Sequence, residues 1–538
     1  MQNIPGRAPD APQPPGVPDV SVVVAVYNTM PYLTRCLTSL VRQTIGTGRI
    51  EIVAVDDGSD DGSGAELERF ARLHPDVLTV VHQANSGGPA APSNRALGLA
   101  RGRYVLFVGA DDHLGPEALE RMVAAADRLG SDIVLGRMVG VNGRWVSQAV
   151  YGESRDEVTL YASALPWALS NTKLFRRSLI EEHGLRFPED LPVLSDQPFT
   201  LEACFRAGRI TVLADYDYYF AVRRDDETNA TVSFRALDRL AGTRRLFELT
   251  RRLAEPGRGR EWIHQRHFTW EVARLIGAEF LDLGADEQRQ VCEGVGALHR
   301  AYASPYALKK LSAEQRLLLR LADAGHLAAL KGVLACAAAG GPPVVVDAER
   351  AYAGYPCFRD PGLGLPDAWF DITEASRGRF AEQEFTPALT RLTGTGAEAG
   401  LEIVAHSSLA GLADFGPGTV RAETTLERGG ERVVKSYAAT VAADADGDGS
   451  VVRCTLPLSE LFPHKDAPWE RWSVRLVASA LGESPHVPLA PLPTETRVPR
   501  PRRHRMRPYD VGVATPGTSE LRITVRRLPV RELLRARA

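Results

Sequence analysis

The chain has 538 residues, of which 44% are hydrophobic and 24% charged, so composition predicts several folded globular units and excludes a disordered chain. A formal net charge of −3 excludes a global field that would hold the chain on nucleic acid. No run of about twenty apolar residues is present, so we expect no transmembrane segment. The start of the chain has no charged and apolar leader pattern, and we interpret residues 1–18 as a flexible proline-rich arm.

The six cysteines are scattered, without a CxxC pair or metal-type spacing. Such cysteines are typical of reduced, buried thiols. Together with the missing leader, they favour a cytoplasmic protein, with the inner face of the cell membrane as a further expected location.

Residues 19–236 alternate short apolar runs with helical patterns, which predicts a mostly parallel sheet covered by helices. The candidate strands are "SVVVAVYN", "EIVAVDDGS", "VLTVVH", "RYVLFV" and "DIVLGRMV". Polar clusters follow three of them: Tyr27-Asn28, Asp56-Asp57 and Asp111-Asp112. Because ligands gather at the carboxyl ends of strands in open sheets, we expect a binding site there.

The rest of the chain changes character twice. Residues 237–340 have helical spacing and no evident polar constellation, so we interpret them as a helical connector. From 341 to 538 the hydrophobic period falls to two, as in "WSVRLV" and "LRITVRRL", which predicts one or two β-sandwich accessory domains. The pattern "TVRAETTLERGGERVVKSYAATV" predicts a hairpin that turns at Gly429-Gly430.

Four segments in order, "VSVVVAVYN", "IVAVDDGSDDGS", "NSGGPAAPSNRALGLARGRYVLFVGADD" and "LSDQPF", resemble the motifs of family 2 glycosyltransferases of the GT-A type. The resemblance covers about the first 235 residues. It implies a Rossmann-like α/β catalytic domain that moves a sugar from a nucleotide diphosphate, usually a UDP-sugar, to a hydroxyl group.

The resemblance also implies which residues hold the nucleotide. Val26 and Tyr27, at the end of the first strand, would flank the base, and Asp57 would accept a hydrogen bond from its ring N–H. Asn85 would contact the nucleotide from the neighbouring loop. The structural alternative for Asp57 is that it caps the next helix. Arg95 is a candidate to replace an arginine that the family often has just before the asparagine of "SNRAL", and its alternative is a solvated helix charge.

The metal motif departs from the family pattern. Gly109 stands where the first aspartate of a DxD-type motif is usual, and Asp111 and Asp112 remain. Mg²⁺ or Mn²⁺ needs only one or two carboxylates when phosphates and water complete its shell. We therefore expect a cation at these two aspartates, with Asp111 also near the sugar nucleotide; which of the two is the ligand stays open.

Asp196 is the candidate base. In the family an acidic pair precedes an apolar helix, and here Ser195-Asp196 precedes "QPFTLEACF". The alternative is a helix N-cap, and both roles are compatible because a helix N-terminus favours an ionised carboxylate. One base and direct attack imply inversion at the anomeric carbon.

Further along, Arg223 and Arg224 are candidates to close over the diphosphate, with Thr228 or Ser233 assisting. The alternative is surface pairing with Asp225 and Asp226.

Three other segments concern the acceptor or a cation. The basic stretch "RVPRPRRHRMRP" suits an anionic polymer, but we favour a solvated loop. "LPWALSNTKLF", with Trp167, Asn171 and Lys173, is either an acceptor contact or a core-lining turn. "DADGDGS" lacks the glutamate of a calcium loop and is interpreted as a turn.

The whole layout is similar to the wall teichoic acid glycosyltransferases that decorate poly(ribitol phosphate). It implies transfer of N-acetylglucosamine from its UDP derivative to a polyol-phosphate cell-surface polymer, and self-association through the β domain. The rival from another class is an inactive glycan-binding scaffold, favoured by Gly109 and the β units. A sugar-phosphate nucleotidyltransferase is disfavoured because "VYNTMPYL" is not a glycine-rich basic loop.

Overall fold

The computed structural model describes residues 16–527, except 162, 225–234, 348, 382–384, 394–399, 410–411, 416–418, 429–430, 444–448, 464–466, 482–485, 488–495, 498–501, 505–506 and 515–520. The chain divides into two compact units, Met1–Leu330 and Lys331–Ala538, which are described separately.

The first unit begins with an alternating succession of strands and helices. In chain order these are β1 Val20–Val26, α1 Tyr32–Val41, β2 Ile50–Asp56, α2 Ser63–Leu73, β3 Leu78–His82, α3 Ala90–Leu99, β4 Tyr104–Phe107, β5 His113–Leu114, α4 Ala118–Leu129, β6 Ile133–Gly136, β7 Met138–Val141, β8 Leu174–Arg176, α5 Arg177–Glu182, α6 Asp196–Arg206, β9 Ile210–Leu213 and β10 Tyr219–Val222.

Seven of these strands form one sheet in the order β3-β2-β1-β4-β8-β6-β9. β1 lies parallel to both β2 and β4, with Val26 opposite Asp56 and Val23 opposite Phe107. All seven residues of β2 are buried, as expected for a strand covered on both faces. The predicted α/β domain is confirmed, and its antiparallel strand β8 was not predicted.

The predicted fifth strand, "DIVLGRMV", is two strands in two sheets. Arg137 separates β6 from β7, and its side chain donates hydrogen bonds to Asp217 Oδ1 and to the Ala214 carbonyl. β6 stays in the large sheet, whereas β7 joins a three-stranded sheet in the order β5-β10-β7. That small sheet holds the residues after Asp112 beside β10.

The predicted helical segment follows. It contains α7 Ala236–Leu253, α8 Arg258–Arg266, a π-helical turn His267–Val272, α9 Ala273–Leu275, α10 Ala285–Tyr302, α11 Ala313–Asp323 and α12 Leu327–Ala338. α7 packs on α6, and Gly242 permits this close approach because a Cβ there would lie 3.0 Å from Leu194 Cβ. The first helix of this segment therefore lies on the loop that precedes Asp196.

The second unit is antiparallel, which confirms the all-β prediction. Its elements are β11 Val344–Asp347, β12 Arg350–Ala353, α13 Thr373–Ala381, β13 Phe385–Thr393, β14 Gly400–Ser407, β15 Val420–Arg428, β16 Glu431–Ala443, β17 Ser450–Pro457, β18 Trp469–Ala478, β19 His486–Val487, β20 Thr496–Arg497, β21 Arg502–His504, β22 Arg507–Ala514 and β23 Leu521–Arg527.

The long strand β16 joins two groups of strands in this unit. Its first half pairs with β15, and residues from Ala439 to Ala443 pair with β17. A strand that changes partners in this way forms a corner between sheets. Side chains from both groups, among them Ile403, Val452 and Ile523, meet in one buried cluster.

Several predictions fall partly outside the described residues. These are the proline-rich arm up to residue 15, Asp225 and Asp226, Thr228, Ser233, the turn at Gly429-Gly430 and the acidic turn at 444–448. The described parts of the basic stretch that we interpreted as a loop lie instead in β20, β21 and β22, where Arg497 pairs with Gly512 and Arg502–His504 pair with Arg507–Tyr509. All six cysteines are free thiols, and among the described residues no helix is long and apolar enough to cross a bilayer.

Candidate active site

The carboxylate of Asp57 is held at the ends of β1, β2 and β3. Its backbone N–H donates to the Val26 carbonyl at 2.8 Å. Its Oδ1 accepts from Gln83 Nε2 at 2.6 Å, and its Oδ2 accepts from Ser86 Oγ at 2.8 Å. Asp57 is therefore fixed by side chains from the next strand and loop, and it does not act as the N-cap of α2, which is Gly62.

Arg95 extends this arrangement. Its Nη1 donates to Gln83 Oε1 at 3.2 Å, so Arg95, Gln83 and Asp57 form a chain of hydrogen bonds. Asn85 lies in the same loop, where its Oδ1 accepts from the Gly87 N–H at 2.8 Å. The Tyr27 side chain is 49% exposed and so presents an open ring surface at the end of β1.

Asp112 is the member of the acidic pair that contacts β10. Its Oδ2 accepts from Tyr219 OH at 2.6 Å, and its Oδ1 accepts from the Val222 N–H at 2.8 Å. Burial raises the pKa of Asp112, and the negative charge of Asp111 raises it further. Strand β10 therefore orients Asp112, while the neighbouring carboxylate makes a second negative charge there costly.

Gly109 allows the two carboxylates to approach the backbone. A Cβ at this position would lie 2.7 Å from Asp112 Oδ2 and 3.1 Å from Asp111 Oδ1. Both carboxylates thus converge on the site from which the usual first aspartate is missing. Two converging carboxylates form a negative locus that fits a divalent cation whose remaining ligands come from phosphates and water. Among the described residues no group of three or more metal-binding side chains exists.

Arg224 supplies a positive charge to this locus. Its Nε donates to Asp111 Oδ2 at 2.8 Å, and its Nη1 donates to the Asn28 carbonyl at 3.1 Å. Both partners of the ion pair are largely buried, with exposed side-chain fractions of 12% and 17%. Arg224, two residues after β10, therefore joins the acidic pair to the end of β1.

A cavity of about 820 Å³ opens beside the acidic pair. Asp112, Asp196 and Arg223 all line it. Four further arginines also line the cavity, namely Arg144, Arg239, Arg266 and Arg274. Its three tryptophans are Trp145, Trp167 and Trp270. The predicted base and one predicted metal-site residue therefore face the same space.

Asp196 is the first residue of α6, and the N-cap residue Ser195 makes no side-chain capping bond. Burial raises the pKa of Asp196 to about 6, although the charge of Lys173 and the backbone N–H groups of Asp196 and Gln197 oppose this shift. Lys173 itself is 1% exposed, and burial lowers its pKa to about 8. A partly buried carboxylate with a pKa near neutrality is suited to accept a proton.

A buried ion pair between the last residue of α8 and the π-helical turn lies in the cavity wall. Arg266 Nη1 lies 3.0 Å from Glu271 Oε1, and both residues line the cavity. Gln197, next to Asp196, donates to the same Glu271 oxygen at 3.1 Å. The predicted base Asp196 is thus linked, through its neighbour Gln197, to the helical segment, in which sequence analysis found no polar constellation.

Aromatic rings form the cavity rim. Trp145 is 70% exposed, and its ring centroid lies 5.5 Å from that of Trp270. Trp167 packs against Trp262, with Lys310 Nζ over both rings at 5.2 and 4.8 Å. Trp167 and Asn171 line the cavity, and their contact with an acceptor stays a prediction. Lys173 is buried, as expected for a core-lining turn.

The structure groups the predicted residues into two neighbouring sets. Val26, Tyr27, Asp57 and Asn85 lie at or after the strand ends, and Arg95 lies on α3. These five do not line the cavity, whereas Asp112, Asp196 and Arg223 do. Asp111 and Arg224 connect the sets through the Asn28 carbonyl. Sequence reasoning missed Gln83, Ser86, Tyr219, Arg266 and Glu271; the first two follow the end of β3 and could have been found by the rule applied to the other strands.

An α/β sheet with an acidic pair at its strand ends and a carboxylate at a helix N-terminus is typical of glycosyltransferases of the GT-A type. The sequence model described as glycosyl transferase family 2 matches residues 21–184, and the model described as glycosyl transferase TarS linker domain matches 238–333. The chain belongs to glycosyl transferase family 2.

Three relatives give the scale of this similarity. The poly(ribitol-phosphate) beta-glucosyltransferase of Bacillus spizizenii is 41% identical over 208 residues, which are 39% of this chain and 33% of the relative. The poly(ribitol-phosphate) beta-N-acetylglucosaminyltransferase TarS of Staphylococcus aureus is 41% identical over 207 residues, or 38% and 36%. The succinoglycan biosynthesis protein ExoO of Rhizobium meliloti is 30% identical over 311 residues, or 55% and 84%. The matched region thus spans about a third of the first two relatives.

Two solved structures resemble the fold. Residues 1–349 of S. aureus TarS, in complex with UDP-GlcNAc, match with a TM-score of 0.56 and 29% identity over 65% of this chain and 98% of that one. The longer S. aureus TarS structure matches with a TM-score of 0.58 and 22% identity over 96% and 86%. The second match concerns the fold alone, and it extends through the β unit.

Proposed function

We propose that the chain is an inverting, metal-dependent glycosyltransferase that moves a sugar from UDP to a hydroxyl of a polyol-phosphate polymer. N-acetylglucosamine is the first candidate sugar, since a related structure holds UDP-GlcNAc. The observation that carries the proposal is that Asp112 and Asp196 line one cavity. A donor held at the acidic pair would then place its anomeric carbon within reach of an acceptor beside the base.

The donor nucleotide binds at the strand ends. Tyr27 offers an exposed ring on which the uracil stacks, and Asp57 receives the uracil N–H. Gln83 and Ser86 hold the Asp57 carboxylate, so its orientation is fixed before the nucleotide arrives. Arg95, tied to Gln83, lies on the same side and contributes a positive charge for the nucleotide.

Mg²⁺ or Mn²⁺ would be held by Asp111, with Asp112 close by. The hydrogen bonds to Asp112 and the ion pair between Arg224 and Asp111 orient both carboxylates before a cation binds. The cation supplies charge neutralisation for the departing diphosphate. Arg223 and Arg224, which follow β10, contribute further positive charge to that leaving group.

Asp196 acts as the general base. Its carboxylate takes the proton of the acceptor hydroxyl while the hydroxyl oxygen bonds to the anomeric carbon. The bond from that carbon to the diphosphate oxygen breaks, and UDP leaves with the electron pair. One displacement of this kind inverts the anomeric centre.

An anionic acceptor suits the cavity. Its lining contains five arginines against three carboxylates, Asp112, Asp196 and Glu271, a difference of two positive charges. Guanidinium groups bind phosphate oxygens in pairs, so phosphodiesters beside the reacting hydroxyl are well matched. The exposed Trp145 at the rim presents an apolar surface to the carbon chain of a polyol or to a sugar ring.

The same proposal includes location and assembly. Supply of UDP-sugars places the reaction in the cytoplasm, at the inner face of the membrane where cell-surface polymers are built. The β unit is the candidate surface for self-association.

Calorimetric titration with UDP, and with GDP as control, tests the donor site with and without Mn²⁺. We expect metal-dependent UDP binding that is lost in an Asp111→Asn, Asp112→Asn double variant and retained in Asp196→Asn. Transfer from UDP-GlcNAc and UDP-glucose to poly(ribitol phosphate) then identifies the sugar. Absence of nucleotide binding under every condition would instead support the glycan-binding scaffold.

A further inference from the structure

Helix α7 carries a concentration of positive charge. It contains five arginines and two acidic residues, a net charge of +3; these are Arg239, Arg244, Arg245, Arg251 and Arg252 against Asp238 and Glu248. The buried side of the helix is formed by other residues, such as Leu246 and Phe247. The arginines therefore belong to the part of the helix that does not build the core.

Part of this charge lines a groove that is separate from the catalytic cavity. The groove has a volume of about 590 Å³, and Arg245, Arg251 and Arg252 line it together with Arg186 from the loop after α5. Glu202 and Glu248 are the acidic residues in its lining. Four arginines against two glutamates leave the groove positively charged.

The groove lies next to the catalytic cavity along two elements. α7 places Arg239 in the cavity wall and Arg245 in the groove, and six residues of helix span about 9 Å. α6 begins at Asp196 in the cavity and places Pro198 in the groove. The cavity and the groove are therefore built on the same two helices. Because Arg239 and Arg245 lie about 120° apart around α7, a ligand must bend around the helix and span several repeat units to occupy both.

Two of the groove arginines have no carboxylate partner among the described residues. Arg186 Nη1 donates to the Leu185 carbonyl at 2.7 Å, and the Arg251 guanidinium lies 5.7 Å from the centre of the Tyr302 ring. Arg245 and Arg252 do form ion pairs, with Asp190 at 2.6 Å and Glu202 at 3.3 Å. Those pairs are exposed, so water and salt already weaken them and a phosphate can replace the carboxylates.

We propose that the groove formed by Arg186, Arg245, Arg251 and Arg252 is a second site for the acceptor, which binds phosphodiesters several repeat units along the polymer from the one in the cavity. This inference rests on the proposed polyol-phosphate acceptor. Arginine matches phosphate because its planar donors reach two oxygens at once. Simultaneous binding at cavity and groove makes affinity depend on chain length, since the second contact is intramolecular once the first is made.

The test compares long and short acceptors in an Arg186→Gln, Arg251→Gln double variant. The matched control is an Arg72→Gln, Arg128→Gln variant, which removes two exposed arginines in the last turns of α2 and α4. We expect the KM for long poly(ribitol phosphate) to rise about tenfold, as a lost second contact predicts, while kcat, UDP affinity and the KM for an acceptor of one repeat stay unchanged. The dependence of long-chain affinity on salt should also weaken, by about one phosphate contact per arginine removed.

A long-chain KM equal to that of the control would overturn the proposal. The same holds if the double variant loses binding to vesicles that contain phosphatidylglycerol while polymer affinity is unchanged, since the groove would then face a membrane. If the wild type transfers no sugar to any polyol phosphate, the proposed reaction fails separately. Direct titration with inorganic polyphosphate then decides the groove: binding lost only in the Arg186, Arg251 variant supports it, and equal binding overturns it.

Discussion

Arg224 Nε lies 2.8 Å from Asp111 Oδ2, so a guanidinium group already neutralises the carboxylate that we propose as the metal ligand. A divalent cation and this guanidinium compete for the same negative charge. We expect Arg224→Gln to raise the affinity of the nucleotide-free protein for Mn²⁺ about fivefold, the scale of one partly buried ion pair. UDP affinity should fall in the same variant, because a contact to the diphosphate is lost.

Titration of Mn²⁺ monitored by electron paramagnetic resonance measures this affinity directly. Arg42→Gln, which removes an exposed arginine after α1, is the control and should match the wild type. Weaker Mn²⁺ binding in Arg224→Gln would mean that the guanidinium organises Asp111 for the metal and does not compete with it.

For Gly109 the structure predicts the opposite of what the sequence motif alone would suggest. Restoring the family's first aspartate by Gly109→Asp would seem to improve metal binding. Because a Cβ here would lie 2.7 Å from Asp112 Oδ2, we expect the opposite, a loss of metal-dependent UDP affinity of about tenfold or more as Asp112 leaves Tyr219. Gly109→Ala should show most of the same loss.

Calorimetry with UDP and Mn²⁺ checks this expectation. Gly98→Ala is a suitable control, since nothing lies within 4 Å of a Cβ at that position. Tighter metal-dependent binding in Gly109→Asp would contradict our account of the departure from the DxD pattern.

The pH dependence of transfer should depend on Asp196. Burial raises its pKa to about 6, and the base must be ionised, so activity is present above that pH and is lost as the pH falls through it. The buried charge of Lys173 opposes the rise in pKa. We therefore expect Lys173→Met to move the acid limb of the kcat/KM profile to higher pH, and Asp196→Asn to lower the rate about 10²- to 10⁴-fold.

The position of the limb does not depend on how much protein is folded, so it separates an electrostatic effect from loss of stability. Lys309→Met removes an exposed lysine and should leave the limb in place. An unmoved limb in Lys173→Met would show that Lys173 does not act on the base.

Many of the residues that we propose to bind the nucleotide could be predicted from the sequence. Apolar runs that end in Asp57 and Asp111 indicate strands and their carboxyl ends, and the topology then brings those ends together. The same rule points to Gln83 and Ser86 after β3, which have no distinctive residue type and were overlooked.

The contribution of the helical segment could not be predicted in this way. Arg266 and Glu271 are five residues apart, so on an α-helix their side chains would stand about 140° apart. The π-helical turn at 267–272 widens the backbone and lets them pair in the cavity wall. A hydrophobic pattern carries no signal for such a turn, because neither residue interrupts the apolar periodicity.

Two buried histidines make the helical segment sensitive to acid. Burial lowers the pKa of His264 to about 4, with the charge of Arg260 adding to the shift, and burial also lowers the pKa of His267 well below its usual range. In the unfolded chain both have pKa values near 6.5, so below that pH the unfolded state binds more protons. Stability is therefore complete above about pH 6.5 and decreases as the pH falls toward 4, by on the order of 3 kcal/mol for His264.

Calorimetric unfolding between these pH values measures the slope. His264→Phe keeps a ring beside Phe247 and Tyr302 and removes the titration, so its unfolding temperature should fall less steeply with acid. An equal slope in wild type and variant would assign the acid sensitivity to other groups.

The buried ion pair of Arg176 and Asp132 predicts an asymmetric response to mutation. Arg176 Nε lies 3.2 Å from Asp132 Oδ1, and the side chains are 2% and 9% exposed. Asp132 Oδ2 also accepts from the Gly208 N–H at 2.7 Å. Asp132→Ala should lower the free energy of unfolding by about 3–5 kcal/mol, because it removes the carboxylate that pairs with a buried guanidinium. Replacing both residues, by Asp132→Leu with Arg176→Met, should cost less than the single change, since no charge then stays buried.

The exposed pair of Arg137 and Asp217 provides the control for this comparison. Its side chains are 33% and 42% exposed at a distance of 2.7 Å, so Asp217→Ala should cost no more than about 1 kcal/mol. Urea unfolding followed by tryptophan fluorescence compares the variants. If Asp132→Ala costs as little as Asp217→Ala, water must reach the interior around Arg176. The burial that raises the pKa of Asp196 and lowers that of Lys173 should then be tested by comparing unfolding free energies in the same way.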